Sequence, residues 1–182
     1  MLIDGLYGMV DPSFGDPERQ LRLLVSEGVG PIQLRCKSWP RDAVRALASR
    51  WRLECTLVIN DDAVLAGELA LPAHLGQSDG VPAGPYGRST HGIDQVRAAS
   101  GAMYIGFGPV CATLTKHAPA SVVGTRALAQ AVATFAGPVV AIGGISEANI
   151  DDVRASGAAG WAVLAGIWRA PDPTNAIRAL RK

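Results

Sequence analysis

Short apolar runs recur along the chain, and most of them stop at polar or glycine-rich residues. They cover 6–10, 31–34, 56–59, 73–75, 102–107, 138–142 and 160–164. Runs this short read as strands buried on both faces, the kind found in parallel sheets. Segments with helical spacing lie between most of them: Leu21, Leu24 and Val25; Val44, Leu47 and Ala48; 122–135; Ile150, Val153 and Arg154; and 177–180. Alternating strand and helix implies a parallel sheet with covering helices.

Punctuation supports the same reading. Ser38 with Pro40, Ser146 with Glu147 and Asp172 with Pro173 stand where helices should begin, and Gly28 and Gly157 where they should end. The fourth unit departs from the pattern: after Asp79 the run to Gly87 has no helical spacing, and the strand before Ser89 is inferred rather than clear. Eight units in 182 residues is about 23 each, against about 31 in a barrel of ordinary size. The expected fold is α/β, a trimmed (β/α)8 TIM barrel with a shortened fourth βα unit, formed by residues 1–182 as one domain.

Composition bounds the partners. A hydrophobic fraction of 48% fills a sizeable core, and a formal charge of +1 offers no footprint for nucleic acid. No apolar stretch reaches the roughly 18 residues of a membrane span. Asp4, Asp11 and Pro12 interrupt the start too early for a signal peptide, so a cytoplasmic protein is expected. Cys36, Cys55 and Cys111 form no CxxC pair and read as small buried thiols.

Residues capable of chemistry follow the apolar runs, at the end where a barrel gathers side chains from separate strands into one mouth. Gln33, Arg35 and Lys37 alternate, so an extended strand sends all three to one face, a cationic stripe that calls for an anion. Asn60-Asp61-Asp62 and Gln77-Ser78-Asp79 bring carboxylates from neighbouring strands to the same end. Such oxygen ligands suit Mg2+ with a substrate phosphate, while Asp61 or Asp62 could equally cap a helix. Thr113, Thr115 and Lys116 place hydroxyls and a cation on a later loop. Gly143-Gly144 and Leu164-Ala165-Gly166 close the last two units, where barrels commonly bind phosphate through backbone N–H groups. His91, after Ser89-Thr90, could serve as acid or base, whereas His74 inside an apolar run reads as a hydrogen-bonded core residue. The four tryptophans read as packing. Two phosphate-type sites emerge, one cationic and one of backbone with little charge.

Read in order, these strand ends resemble the thiamine phosphate synthases. The resemblance rests on the stretch from Leu6-Tyr7 to Asp11, Gln33-Leu34-Arg35-x-Lys37, Ile59-Asn60-Asp61, His74-Leu75-Gly76-Gln77-x-Asp79 and Ser89-Thr90-His91. Gly106-x-Gly108-Pro109, Thr113-x-Thr115-Lys116 and Ala141-Ile142-Gly143-Gly144-Ile145 complete it. It implies joining of an aminopyrimidine diphosphate to a thiazole phosphate with release of pyrophosphate. Mg2+ is then implied at Asp61 and Asp79, with Arg35, Lys37, Asn60 and Lys116 around the diphosphate and Gln33 and Ser89 near the pyrimidine. Thr113, Thr115, Gly144 and the backbone at Leu164 and Ala165 are implied for the thiazole phosphate. The eighth loop carries Ala165 where the family commonly has serine, and the fourth unit that bears Asp79 is shortened. Two alternatives remain at this level: a thiazole tautomerase using His91, and a non-catalytic relative that binds a phosphorylated metabolite.

Overall fold

In a computed structural model, which describes residues 3–112 and 121–181, eight strands close into a barrel. They are β1 Gly5–Val10, β2 Ile32–Leu34, β3 Leu57–Asn60, β4 Ala73–Leu75, β5 Tyr86–Thr90, β6 Tyr104–Phe107, β7 Val139–Ile142 and β8 Gly160–Ala162. All neighbours pair in parallel in chain order, and β8 returns to β1 through Leu6 opposite Trp161. Helices α1 Pro17–Ser26, α2 Arg41–Trp51 and α3 Ala63–Glu68 follow the first three strands. Helices α4 Ile93–Ala98, α5 Gly124–Thr134 and α6 Ile150–Ala155 follow β5, β6 and β7, and α7 Ala165–Trp168 and α8 Pro173–Arg181 follow β8.

Period-two alternation divides the apolar residues into two cores. Outward side chains such as Leu34, Ile59, Leu75, Ile105 and Phe107 pack under the helices. Inward ones, among them Ile3, Tyr7, Met9, Val58, Tyr104 and Val140, fill the barrel. Gly87 is required by this filling: a Cβ there would lie 2.1 Å from the Tyr104 ring, which crosses the barrel at that level.

The expected helix starts need adjustment. Asp172 accepts from the Asn175 amide at 3.1 Å and caps α8, but α2 starts at Arg41 after Pro40 with no side-chain cap. Helix α6 begins at Ile150, later than Ser146 suggested, because Asn149 instead ties back to the Ser146 amide and the Gly144 carbonyl. Gly28 and Gly157 end their helices at φ 66° and 81°, in the left-handed region that favours glycine.

The inferred fifth strand is a full five residues, paired to β4 and β6. It was faint in sequence because Gly87 and Ser89 face inward and Arg88 faces out, leaving little apolar alternation to see. The segment 76–85 between β4 and β5 contains no helix among the described residues, as the shortened unit predicted.

Candidate active site

Two concavities lie around the carboxyl ends of the strands. The barrel mouth is a cavity of about 330 Å³ reached by Asp11, Arg35, Ser89 and His91 on one side and by Gly143, Gly144, Leu164 and Ala165 on the other. Beside it a groove of about 900 Å³ runs between α2, α3 and the 76–85 segment, lined by Lys37, Asn60, Asp61 and Asp79.

The β2 stripe divides between these spaces. Strand pairing stops at Leu34, so extended alternation does not carry through to Lys37, and the expectation of one shared face is corrected. Gln33 is buried inside the barrel and its amide donates to Asn60 Oδ1, leaving its own carbonyl oxygen as an acceptor. Arg35 enters the mouth, where its guanidinium donates to the buried carboxylate of Asp11. That carboxylate is itself fixed by the Ser13 amide at 2.9 Å and hydroxyl at 2.7 Å. Lys37 turns into the groove and pairs with Asp61 at 2.9 Å.

The two carboxylates after β3 have different tasks. Asp62 accepts from the Leu65 amide at 2.9 Å and caps α3, while its other oxygen meets Arg41 at 2.8 Å. Asp61 is not a cap. Its backbone sits at φ 62°, a region that aspartate tolerates better than most residues, and its amide donates to the His74 carbonyl at 2.9 Å. This holds the carboxylate over the groove. Asp79 lines the same groove with one oxygen committed, since Oδ2 accepts from the Gly76 amide at 2.7 Å.

Beneath the mouth runs a buried hydrogen-bonded chain. Tyr7 Oη meets Tyr104 Oη at 2.7 Å, Tyr104 Oη meets His74 Nδ1 at 2.9 Å, and His74 Nε2 meets Ser89 Oγ at 2.9 Å. Burial is the main cause that pulls the His74 pKa down to about 4, with Arg88 adding to it and Asp61 opposing, so the ring is neutral near pH 7. Tyr104 is the one hydrogen-bond partner of Tyr7 Oη among the described residues, and apolar side chains surround the pair. An unpaired buried hydroxyl costs about 1–3 kcal/mol. Tyr7 therefore donates to Tyr104, Tyr104 to Nδ1, and the Nε2 proton to Ser89. The serine proton is left to point into the mouth.

His91 also lines the mouth; its Nδ1 donates to the Gly108 carbonyl at 2.6 Å, so the neutral ring keeps Nε2 as an acceptor. The opposite wall is made of backbone. Gly143 and Gly144 have φ of 98° and 66°, and a Cβ on Gly144 would come within 2.3 Å of the Ala112 carbonyl. Only glycine lets this loop fold so close to the sixth. Leu164 and Ala165 lead into α7 on the same wall. Burial raises all three thiols, Cys36 to about 12 and Cys55 to about 11, so none is a thiolate near neutral pH.

The sequence of residues 6–167 matches the family model described as thiamine monophosphate synthase. The chain belongs to this family. A thiamine-phosphate synthase of Herpetosiphon aurantiacus is 36% identical over 95% of this chain and 93% of its own length. One of Thermus thermophilus is 38% identical over 85% and 82%. Among solved structures, a thiamine phosphate pyrophosphorylase from Pyrococcus furiosus superposes with a TM-score of 0.87 at 26% identity, covering 97% of this chain and 93% of that one.

Of the residues singled out in the sequence, Arg35, Ser89, His91, Gly144, Leu164 and Ala165 line the mouth, Lys37, Asn60, Asp61 and Asp79 line the neighbouring groove, and Gln33 is buried in the barrel against Asn60. Thr113, Thr115 and Lys116 lie outside the described residues. Three contributors escaped sequence reasoning. Asp11 anchors Arg35, a pairing across 24 residues that no local pattern encodes. Arg88, hidden in a strand that was hard to see, reaches the carbonyls of the 76–80 turn. Arg169, at the end of α7, lines the mouth with its guanidinium 5.3 Å from the centre of the Phe14 ring, so the backbone side is not as free of charge as expected.

Proposed function

We propose that the mouth and its side groove together form the active site of a synthase that couples 4-amino-2-methyl-5-hydroxymethylpyrimidine diphosphate to thiazole phosphate. The products are thiamine phosphate and pyrophosphate. The observation that carries this reading is the division of the strand ends: fixed cations and two carboxylates on the β2–β4 side, and a glycine backbone wall on the β7–β8 side. Two phosphorylated groups of different charge fit those two walls.

In this reading the pyrimidine lies over the barrel interior. Its exocyclic amine donates to the Gln33 carbonyl oxygen, and a ring nitrogen accepts the proton that the buried chain leaves on Ser89. Arg35, oriented by Asp11, and Lys37 stabilise the negative charge that grows on the departing pyrophosphate as the methylene carbon becomes cationic. Lys116 belongs with them by the family pattern. The thiazole nitrogen, held by its phosphate at Gly144, Leu164 and Ala165 with Thr113 and Thr115, forms the new C–N bond. No proton has to leave that nitrogen, so no general base is needed.

Asp61 and Asp79 suit Mg2+. They are hard oxygen donors on adjacent loops over one groove, each with only one oxygen bound by a described partner. When bound there, Mg2+ would neutralise charge on the diphosphate and on the pyrophosphate that leaves. The deciding experiment follows pyrophosphate release with both substrates and Mg2+. Release that needs all three components is expected, and none in their presence sinks the reading. The geometry of His91 supports a second reading, thiazole tautomerisation with Nε2 as the base. His91→Asn should abolish tautomer conversion in that case and leave coupling largely intact.

A further inference from the structure

Each strand of this barrel turns its outward side chains toward the helical layer, and those side chains are apolar with two exceptions besides glycine among the described strand residues. One is Thr90, whose hydroxyl donates to the Gly106 carbonyl at 2.9 Å. The other is Arg88, flanked across the sheet by Leu75 and Ile105, both fully buried. Helix α3 packs on β3 and β4, and α4 on β5 and α5, so the segment 76–85 has to bridge the place where another helix would lie.

Arg88 is 8% exposed and has no carboxylate partner among the described residues. Its Nη1 donates to the carbonyls of Gly76 at 2.5 Å and Asp79 at 2.8 Å, and its Nη2 to that of Gly80 at 3.2 Å, while Cζ lies 5.2 Å from the centre of the Tyr86 ring. A guanidinium out of water needs such acceptors, because desolvating a charge without compensation is very costly. The dependence runs both ways. A turn with no helix or ladder to pair its carbonyls needs a donor fork, and the planar guanidinium supplies several donors in fixed directions. The same turn closes on itself through Gly76 N–H to Asp79 Oδ2 at 2.7 Å and Asp79 N–H to Gly76 O at 3.3 Å.

We infer that Arg88 is a positioning residue that stands in for the missing helix of the fourth unit and sets the Asp79 carboxylate over the groove. This rests on the reading that Asp79 and Asp61 hold a divalent cation with the diphosphate. Arg88 itself touches no substrate; it acts through three carbonyls of the turn that carries Asp79. A lysine there can place its charge in the same space but cannot direct donors along the fork, so the turn loses its fixed geometry.

The test compares Arg88→Lys, Arg88→Met and Asp79→Asn. Binding of Mn2+ with inorganic pyrophosphate, followed by electron paramagnetic resonance, should weaken about tenfold in all three variants, the size expected when groups that hold metal ligands in place are lost. The KM for the pyrimidine diphosphate and the half-saturating Mg2+ should rise in parallel, while the KM for thiazole phosphate stays within about twofold. Amides of 76–80 should exchange faster in the Arg88 variants with the strand amides still protected. If Asp79→Asn leaves Mn2+ binding unchanged, the metal reading itself fails. If Asp79→Asn weakens it and the Arg88 variants do not, or if both KM values rise together, Arg88 is not positioning Asp79. The wild-type chain offers a check independent of folding in the variants: Arg88 guanidinium protons should exchange slowly, and rapid exchange overturns the inference.

Discussion

The two walls of the mouth hold charge by different means. On the side formed by β2 and β5 the groups are side chains, and each is aimed by a second residue: Arg35 by Asp11, Gln33 by Asn60, Ser89 by His74. On the β7–β8 side the wall is mainly backbone, with Arg169 beside it, and is shaped by glycines whose φ angles and close contacts leave no room for a Cβ. A side-chain group can be altered by small chemical changes that leave the fold intact, whereas the backbone N–H groups of the other wall can be moved only by changing the fold around them. The first wall should therefore show large functional effects with small losses of stability, and the second should lose both together.

The largest effect is expected at Arg35. Arg35→Lys keeps a charge beside the buried Asp11 but removes the planar fork, and kcat/KM for the pyrimidine diphosphate should fall about 100-fold, in the range for loss of a preorganised donor to developing charge. Thermal unfolding should shift by only a few degrees; a shift that matches the kinetic loss would make the residue structural. Next comes Gly144→Ala. Its Cβ would press on the Ala112 carbonyl, so the KM for thiazole phosphate should rise at least about tenfold as one or two hydrogen bonds to a charged group are lost. Stability should drop with it. Binding that weakens in a fully stable protein would show that the backbone wall behaves like the other one.

A third test titrates the chain beneath the mouth. The folded pKa of His74 is about 4, below the reference value near 6.5, so the unfolded state binds the proton more readily. The stability that depends on a neutral His74 is thus complete above about pH 6.5 and is lost as pH falls toward 4, by about 3 kcal/mol across that window. Urea unfolding at pH 8 and pH 5 should show much of this loss in the wild type and little of it in His74→Gln. An equal pH response in both proteins would place the titration elsewhere. The smallest effect is expected from Ala165→Ser, which returns a hydroxyl to the backbone wall. The KM for thiazole phosphate should fall about threefold to tenfold, the worth of one added hydrogen bond. No change would mean that the phosphate is held by N–H groups alone.

The barrel was legible because burial on both faces forces short apolar runs, and because polar residues then collect at one end of each strand. Seven strands, the ends of α1 and α6 at Gly28 and Gly157, and the missing helix after Asp79 all followed from that pattern. Gly143-Gly144 was visible as well, since a left-handed backbone selects glycine directly. Strand β5 was nearly invisible because its inward positions are Gly87 and Ser89 and its central outward one is Arg88. The stripe from Gln33 to Lys37 runs past the end of β2 at Leu34, and alternation holds only while the strand is paired.

By itself, then, the sequence determined the order of strands and helices and which residue types stand at the strand ends, because period-two and period-3.6 burial are local constraints on the chain. The tertiary structure decided which of those residues meet. That Asp11 aims Arg35 across 24 residues, that the His74 carbonyl holds the Asp61 amide and leaves Asp62 to cap α3, and that Arg88 of one strand holds the turn bearing Asp79 all depend on contacts between neighbouring strands and their loops. Such pairings are fixed by the parallel register of neighbouring strands, which sets the end of each strand beside the end of the next.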